Sequence, residues 1–144
     1  MGQQQLLLLV LGIAIVAMAT VAAISIFEEG AKKYEEDREH QHMLDLVTRI
    51  QVWKLKPVIF GGGADTPPND FSSFTLVSIG LKATANPGTT PILEVKNVGC
   101  FRFFPGAGEV RINALDKDCK IGSWDKAIIV TGVTHEDIDW LYNF

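Results

Sequence analysis

The sequence predicts an α+β protein in which a long N-terminal α-helix, apolar in its first half, packs on a small antiparallel β-sheet head. Three observations lead there. Residues 6 to 27 carry no charge at all. No proline occurs before Pro57. Beyond that point the chain breaks into short runs of β formers separated by Pro, Gly and Asn. A chain of 144 residues is the size of one domain plus an appendage. Its expected parts are an apolar helix over 1–27, an amphipathic continuation over 28–57 and a β-rich head over 58–144.

The apolar part runs from Leu6 to Phe27 and is built of Leu, Ile, Val and Ala. About 20 such residues, rising 1.5 Å each as a helix, span the hydrocarbon core of a bilayer. Without water, every backbone polar group has to be satisfied inside the segment, which forces the helix despite its β-branched residues. Gly12, Ala14, Ala17, Ala19, Ala22, Ala23 and Ser25 are small. A lone anchor has no need of so many small side chains, whereas helices packing against one another use them for close approach. A secretory signal peptide has a basic start and a shorter apolar run. Here Met1 to Gln5 carry no Lys or Arg, so the segment is expected to be retained.

From Glu28 to His40 the chain is dense in good helix formers. Glu28 and Glu29 precede Lys32 and Lys33 by four residues, the favourable order for an ion pair on a helix. Met43, Leu46, Val47, Ile50 and Trp53 then recur every three to four residues, a stripe suited to covering a sheet, with Lys54 as the other residue on that period. Pro57 ends the helix, and Gly61-Gly62-Gly63 opens a loose connection. Gly12 and Gly30 are where a local bend is expected.

In the head, strands are expected at Phe74–Leu81, Pro91–Val98, Cys100–Phe104, Glu109–Asn113 and Ala127–Val133, giving an antiparallel sheet of about four strands. Turns are expected at Pro67–Asp70, Asn86–Gly88 and Pro105–Gly106. Cys100 and Cys119 are the only cysteines, with no metal-site spacing around them, and read as one disulfide formed outside a reducing cytosol.

Net charge is −4, which disfavours nucleic acid as a partner. His40 and His42 are i,i+2 on a helix and do not converge on a metal. The acidic run from His135 to Asp139 lacks the spacing of a calcium loop, and the glycine run lacks the Lys-Ser/Thr of a phosphate loop. They read as a solvated helix face, a turn or short helix start, and a flexible connection. No catalytic, cofactor-binding or metal residue set is recognisable, so an enzyme is not expected. Trp124 is expected in the core, while Trp140, Tyr142 and Phe144 suit either a core or a subunit contact.

A long helix, apolar then amphipathic, followed by a small β head with a disulfide resembles the type IV pilin and pseudopilin architecture. The start from Gly2 to Gly12, with its Gly-Gln junction, and the stretch Ile50 to Pro57 followed by Phe60 to Gly63 and Phe71 to Phe74 are similar to one pilin-like group. The resemblance covers residues 1–80. It implies a structural subunit of an extracellular pilus-like filament, anchored in the inner membrane before assembly. The implied partners are further copies of the chain, the pilus assembly machinery and a prepilin peptidase. The helix-packing residues would be Gln3, Gln4, Gln5, Leu6, Leu9, Gly12, Ile13, Ala14, Val16, Ala17, Thr20 and Ala23. The pattern departs from usual pilins in three places, one of them the lack of a basic leader before Gly2. No carboxylate precedes Glu28, so the three glutamines offer amide hydrogen bonds where a charge is usual. The usual proline within the apolar run is also missing. A minor pseudopilin of a secretion system, or a single-span anchored protein with a binding head, would share most of these features.

Overall fold

The computed structural model describes residues 2–83, 90–115, 118–119 and 126–142. The expectations for Asn86–Gly88, Trp124 and Phe144 lie outside the described residues. The chain forms two units, Met1–Asp37 and Arg38–Phe144. One helix, α1, runs Gly2–Leu55 and is helical throughout, Gly12 and Gly30 included. It stops at Leu55 because Lys56 precedes Pro57, whose ring disfavours helical geometry in the residue before it.

In the first unit, the large apolar side chains of residues 6–27 expose between 53 and 78% of their surface. In the second, the head is a five-stranded antiparallel meander in the order β1 (Ile92–Val95), β2 (Gly99–Pro105), β3 (Val110–Leu115), β4 (Lys126–Val130) and β5 (Ile138–Tyr142). Alternation along each strand sorts the side chains onto two faces. On one face Leu93, Phe101, Phe103, Val110, Ile112, Ala114, Ile128 and Val130 join Met43, Leu46, Val47, Ile50 and Trp53 of α1 in a single buried cluster. Phe71, Phe74 and Leu76 from the connecting segment close it. Burying side chains of this size contributes about 1.5–3 kcal/mol each before conformational entropy is subtracted.

Ile92, Cys100 and Leu115 form a smaller buried cluster on the opposite face. Cys100 and Cys119 are disulfide-bonded there, with Cα atoms 5.3 Å apart. The bridge closes a loop of 19 residues, for which a chain-entropy estimate is about 3 kcal/mol of stabilisation.

Two segments differ from expectation. Phe74–Leu81 is not a strand; Leu76–Ile79 is a 3₁₀ turn. The Thr75 hydroxyl accepts from Ser78 N at 3.3 Å and the Ser78 hydroxyl accepts from Thr75 N at 3.4 Å, a reciprocal cap that competes with strand geometry. Gly80, in the left-handed region, terminates the turn. In addition, Ile138–Tyr142 is a strand, paired along its length with β4 from Lys126↔Tyr142 to Val130↔Ile138.

Candidate assembly surface

The side chains that distinguish this molecule lie along α1. Gln3, Gln4, Gln5, Leu6, Leu9, Gly12, Ile13, Ala14, Val16, Ala17, Thr20 and Ala23 are all on this helix and all exposed. Gly12 and Ala17 leave a notch walled by Leu9, Ile13 and Val16. A second shallow groove is lined by Leu6, Leu7, Val10, Leu11 and Ala14. Side chains of another helix can seat in such depressions, because dispersion contacts require close approach. The side-chain hydroxyls within residues 6–27 are closed on the helix itself: the Thr20 hydroxyl donates to Ala17 O at 2.8 Å and the Ser25 hydroxyl to Ala22 O at 2.9 Å. The outer surface of residues 6–27 therefore makes no side-chain demand for water. By length and composition, α1 contains the one segment among the described residues apolar enough to cross a membrane.

The C-terminal part of α1 is clamped to the head. Met43, Leu46, Val47, Ile50 and Trp53 are between 0 and 4% exposed. Lys54, also on this face, is only 3% exposed. Its ammonium donates to the Thr66 hydroxyl and, at 2.6 Å, to the carbonyl oxygen of Asp70. The same group lies 5.4 Å above the centre of the Phe71 ring. Burial pushes the Lys54 amine below its ordinary range, and the nearby Asp70 carboxylate partly opposes this. The lysine thus fastens the 61–71 connection to the end of the helix.

Further polar ties sit at the β4–β5 end. Gln51 Nε2 donates to Thr134 O at 2.9 Å. Asp137 Oδ2 accepts from Thr134 N at 2.9 Å and from its hydroxyl at 2.5 Å, and these two bonds hold the Asp137 carboxyl below its usual range. The His40 ring stacks on Trp140 with centroids 3.9 Å apart, and Lys126 pairs with Glu39 at 3.6 Å. His40, read from sequence as part of a solvated face, is instead half-buried against the edge strand. Trp140 stacks in turn near Tyr142, at 6.2 Å. The roles of Gln51 and Asp137 had no signal of their own in the sequence. Lys54 had one, its place on the period of the buried stripe.

Among the described residues, no group of three or more His, Cys, Asp or Glu side chains is arranged to hold a metal ion. The arrangement offers extensive dry contact surface along a helix and a head fastened to that helix by an ammonium, an amide and a ring stack. No family model, curated protein or solved structure matches this chain.

Proposed function

We propose that the chain is a structural subunit of an extracellular pilus-like filament, in which the apolar helices of many copies bundle together and the β heads lie outside. The observation that carries this reading is the stretch 6–27: uncharged, exposed on every side, notched by small residues and with its hydroxyls closed internally. Before assembly the same stretch would anchor the subunit in a membrane. Moving from lipid into a bundle exchanges one apolar surrounding for another, so packing rather than hydrophobic transfer has to drive the step. The disulfide fits a head that matures in an oxidising compartment.

The test is electron microscopy of material sheared from cells producing the full chain, with the fibre protein identified by mass. Abundant fibres composed of this chain support the reading. A membrane-retained monomer with no fibres would instead favour an anchored protein with a binding head, and short assemblies confined to a secretion apparatus would favour a pseudopilin.

A further inference from the structure

Arg111 and Asn113 lie on the face of the sheet turned away from the main core. Their neighbours on β3, Val110, Ile112 and Ala114, belong to that core, so alternation sends these two side chains the other way. Asn113 is only 8% exposed, yet its Oδ1 has no hydrogen-bond partner among the described residues. The same holds for Nε of Arg111, two positions earlier on the strand. Buried polar atoms are nearly always paired. Here an acceptor and a donor stand unpaired on neighbouring side chains of one face, their Cα atoms about 7 Å apart.

Across the sheet, Asn113 is opposite Arg102 and Ala127, and Arg111 is opposite Phe104 and Ile129. Arg102 is fixed in place: its Nε donates to the Thr90 hydroxyl at 2.8 Å, and its guanidinium lies 4.7 Å from the centre of the Phe104 ring. Arg111 is held less firmly. Its outer nitrogen pairs with Glu109 at 3.1 Å, and the two side chains are 43 and 41% exposed. An exposed pair of this kind contributes little, so the Arg111 side chain is free to turn toward a ligand.

The two unpaired atoms select the chemistry of that ligand. Asn113 Oδ1 needs a donor, and the Arg111 Nε–H needs an acceptor. A carboxylate or phosphate serves Arg111 but brings no donor for Asn113. An ammonium serves Asn113 but is repelled by the guanidinium groups of Arg102 and Arg111. A hydroxyl donates and accepts at once. A peptide amide does so too, but extended peptides dock on sheets through edge strands, and β3 is the middle strand, paired on both sides. A saccharide offers hydroxyls to side chains and needs no free backbone. Its C–H faces suit the half-buried Phe104 and Ile129 beside Arg111.

We infer that Arg111 and Asn113, flanked by Arg102 and Phe104 on the outer face of the sheet, bind the hydroxyl groups of a neutral saccharide. The site lies within the head and does not depend on the filament reading.

The test is saturation-transfer NMR on the full chain in a zwitterionic detergent that carries no sugar. The probes are the methyl glycosides of glucose, galactose, mannose and N-acetylglucosamine, with N-acetylalanine methylamide as the peptide probe. Transfer to at least one glycoside is expected. Asn113→Leu removes the unpaired oxygen at similar volume, so the head's thermal transition should stay or rise. Arg111→Lys keeps the charge and removes the Nε–H. In both variants the half-saturation concentration of the bound glycoside should rise at least tenfold. No transfer to any glycoside, the result expected if water alone fills the position, overturns the inference. Unchanged binding in either folded variant overturns it as well, and so does transfer to N-acetylalanine methylamide with none to the glycosides. If Asn113→Leu melts below the parent, Arg111→Lys decides alone.

Discussion

Trp53 donates from its indole Nε1 to the carbonyl oxygen of Gly61 at 3.0 Å, and the backbone nitrogen of Gly63 returns a hydrogen bond to Trp53 O at 3.1 Å. The turn after α1 is therefore folded onto the last aromatic side chain of the helix. A methyl group at Gly63 would stand 2.7 Å from the indole ring, and one at Gly62 only 1.9 Å from Lys56 O. The glycine run exists for close approach, not for looseness.

Gly63→Ala consequently forces the Trp53 ring to move within a packed core. Overpacking of this kind costs about 1–3 kcal/mol. For a head of this size that lowers the melting temperature by several degrees, at roughly 4–8 °C per kcal/mol. Thermal unfolding of the full chain in detergent, followed by near-ultraviolet circular dichroism, reads the change. An unaltered transition would mean that the ring accommodates the methyl group freely.

Lys54→Met keeps the apolar stem and removes the ammonium that serves Thr66 and the Asp70 carbonyl oxygen. Leaving buried acceptors without a donor costs about 1–3 kcal/mol, so the variant should be less stable at neutral pH. The pH dependence has a definite sign. Because burial lowers the folded-state value below 10.5, the unfolded chain binds more protons in the interval between the folded value and 10.5. Stability from this group therefore rises with pH through that interval. The methionine variant should lack that rise, and parallel denaturant titrations of both proteins between neutral and alkaline pH would show whether it does.

How much of this was legible from sequence depends on how local the signal is. The helix was readable because its determinants are periodic and repeated: no proline before Pro57, an uncharged run, then Met43 to Trp53 on one face. The α+β class followed from the turn-separated runs beyond it. Phe74–Leu81 misled because its composition favours strands, while two hydroxyls three residues apart, Thr75 and Ser78, decide the local geometry. Strand β5 was missed for the opposite reason. Ile138–Tyr142 follows an acidic run and includes Asp139, and only its pairing with β4 makes it a strand. The same holds for His40: its stacking on Trp140, a residue one hundred positions away, has no local signature.

Asp137 provides a prediction on the acid side. Hydrogen bonds from Thr134 lower its folded-state value below 3.8. A carboxylate shifted in this direction contributes stability that is complete above the unfolded value and is lost as pH falls through the folded one. Asp137→Asn should therefore lower stability at neutral pH and reduce the loss of stability on acidification below about pH 4. A thermal series from pH 7 to pH 3 on both proteins reads this. Equal pH dependence in the two would show that the Thr134 contacts contribute nothing to the charged form's preference.

Ala17→Phe tests the apolar helix itself. Ala17 lies in the notch formed with Leu9, Gly12, Ile13 and Val16, and it is exposed. Position 17 is on the exposed surface of the first unit and outside the buried core of the head, so the head should melt as before. Its larger apolar side chain is at least as welcome in hydrocarbon, so membrane insertion should also persist. What changes is helix–helix approach: an interface built on small residues loses its contacts when a ring holds the backbones apart. Filament yield should drop at least tenfold with membrane content unchanged, measured by sedimentation of sheared fibres against the membrane fraction. Normal filaments from this variant would show that the notch faces away from every packed neighbour, and would shift the small-residue argument to the Ala14 side of the helix.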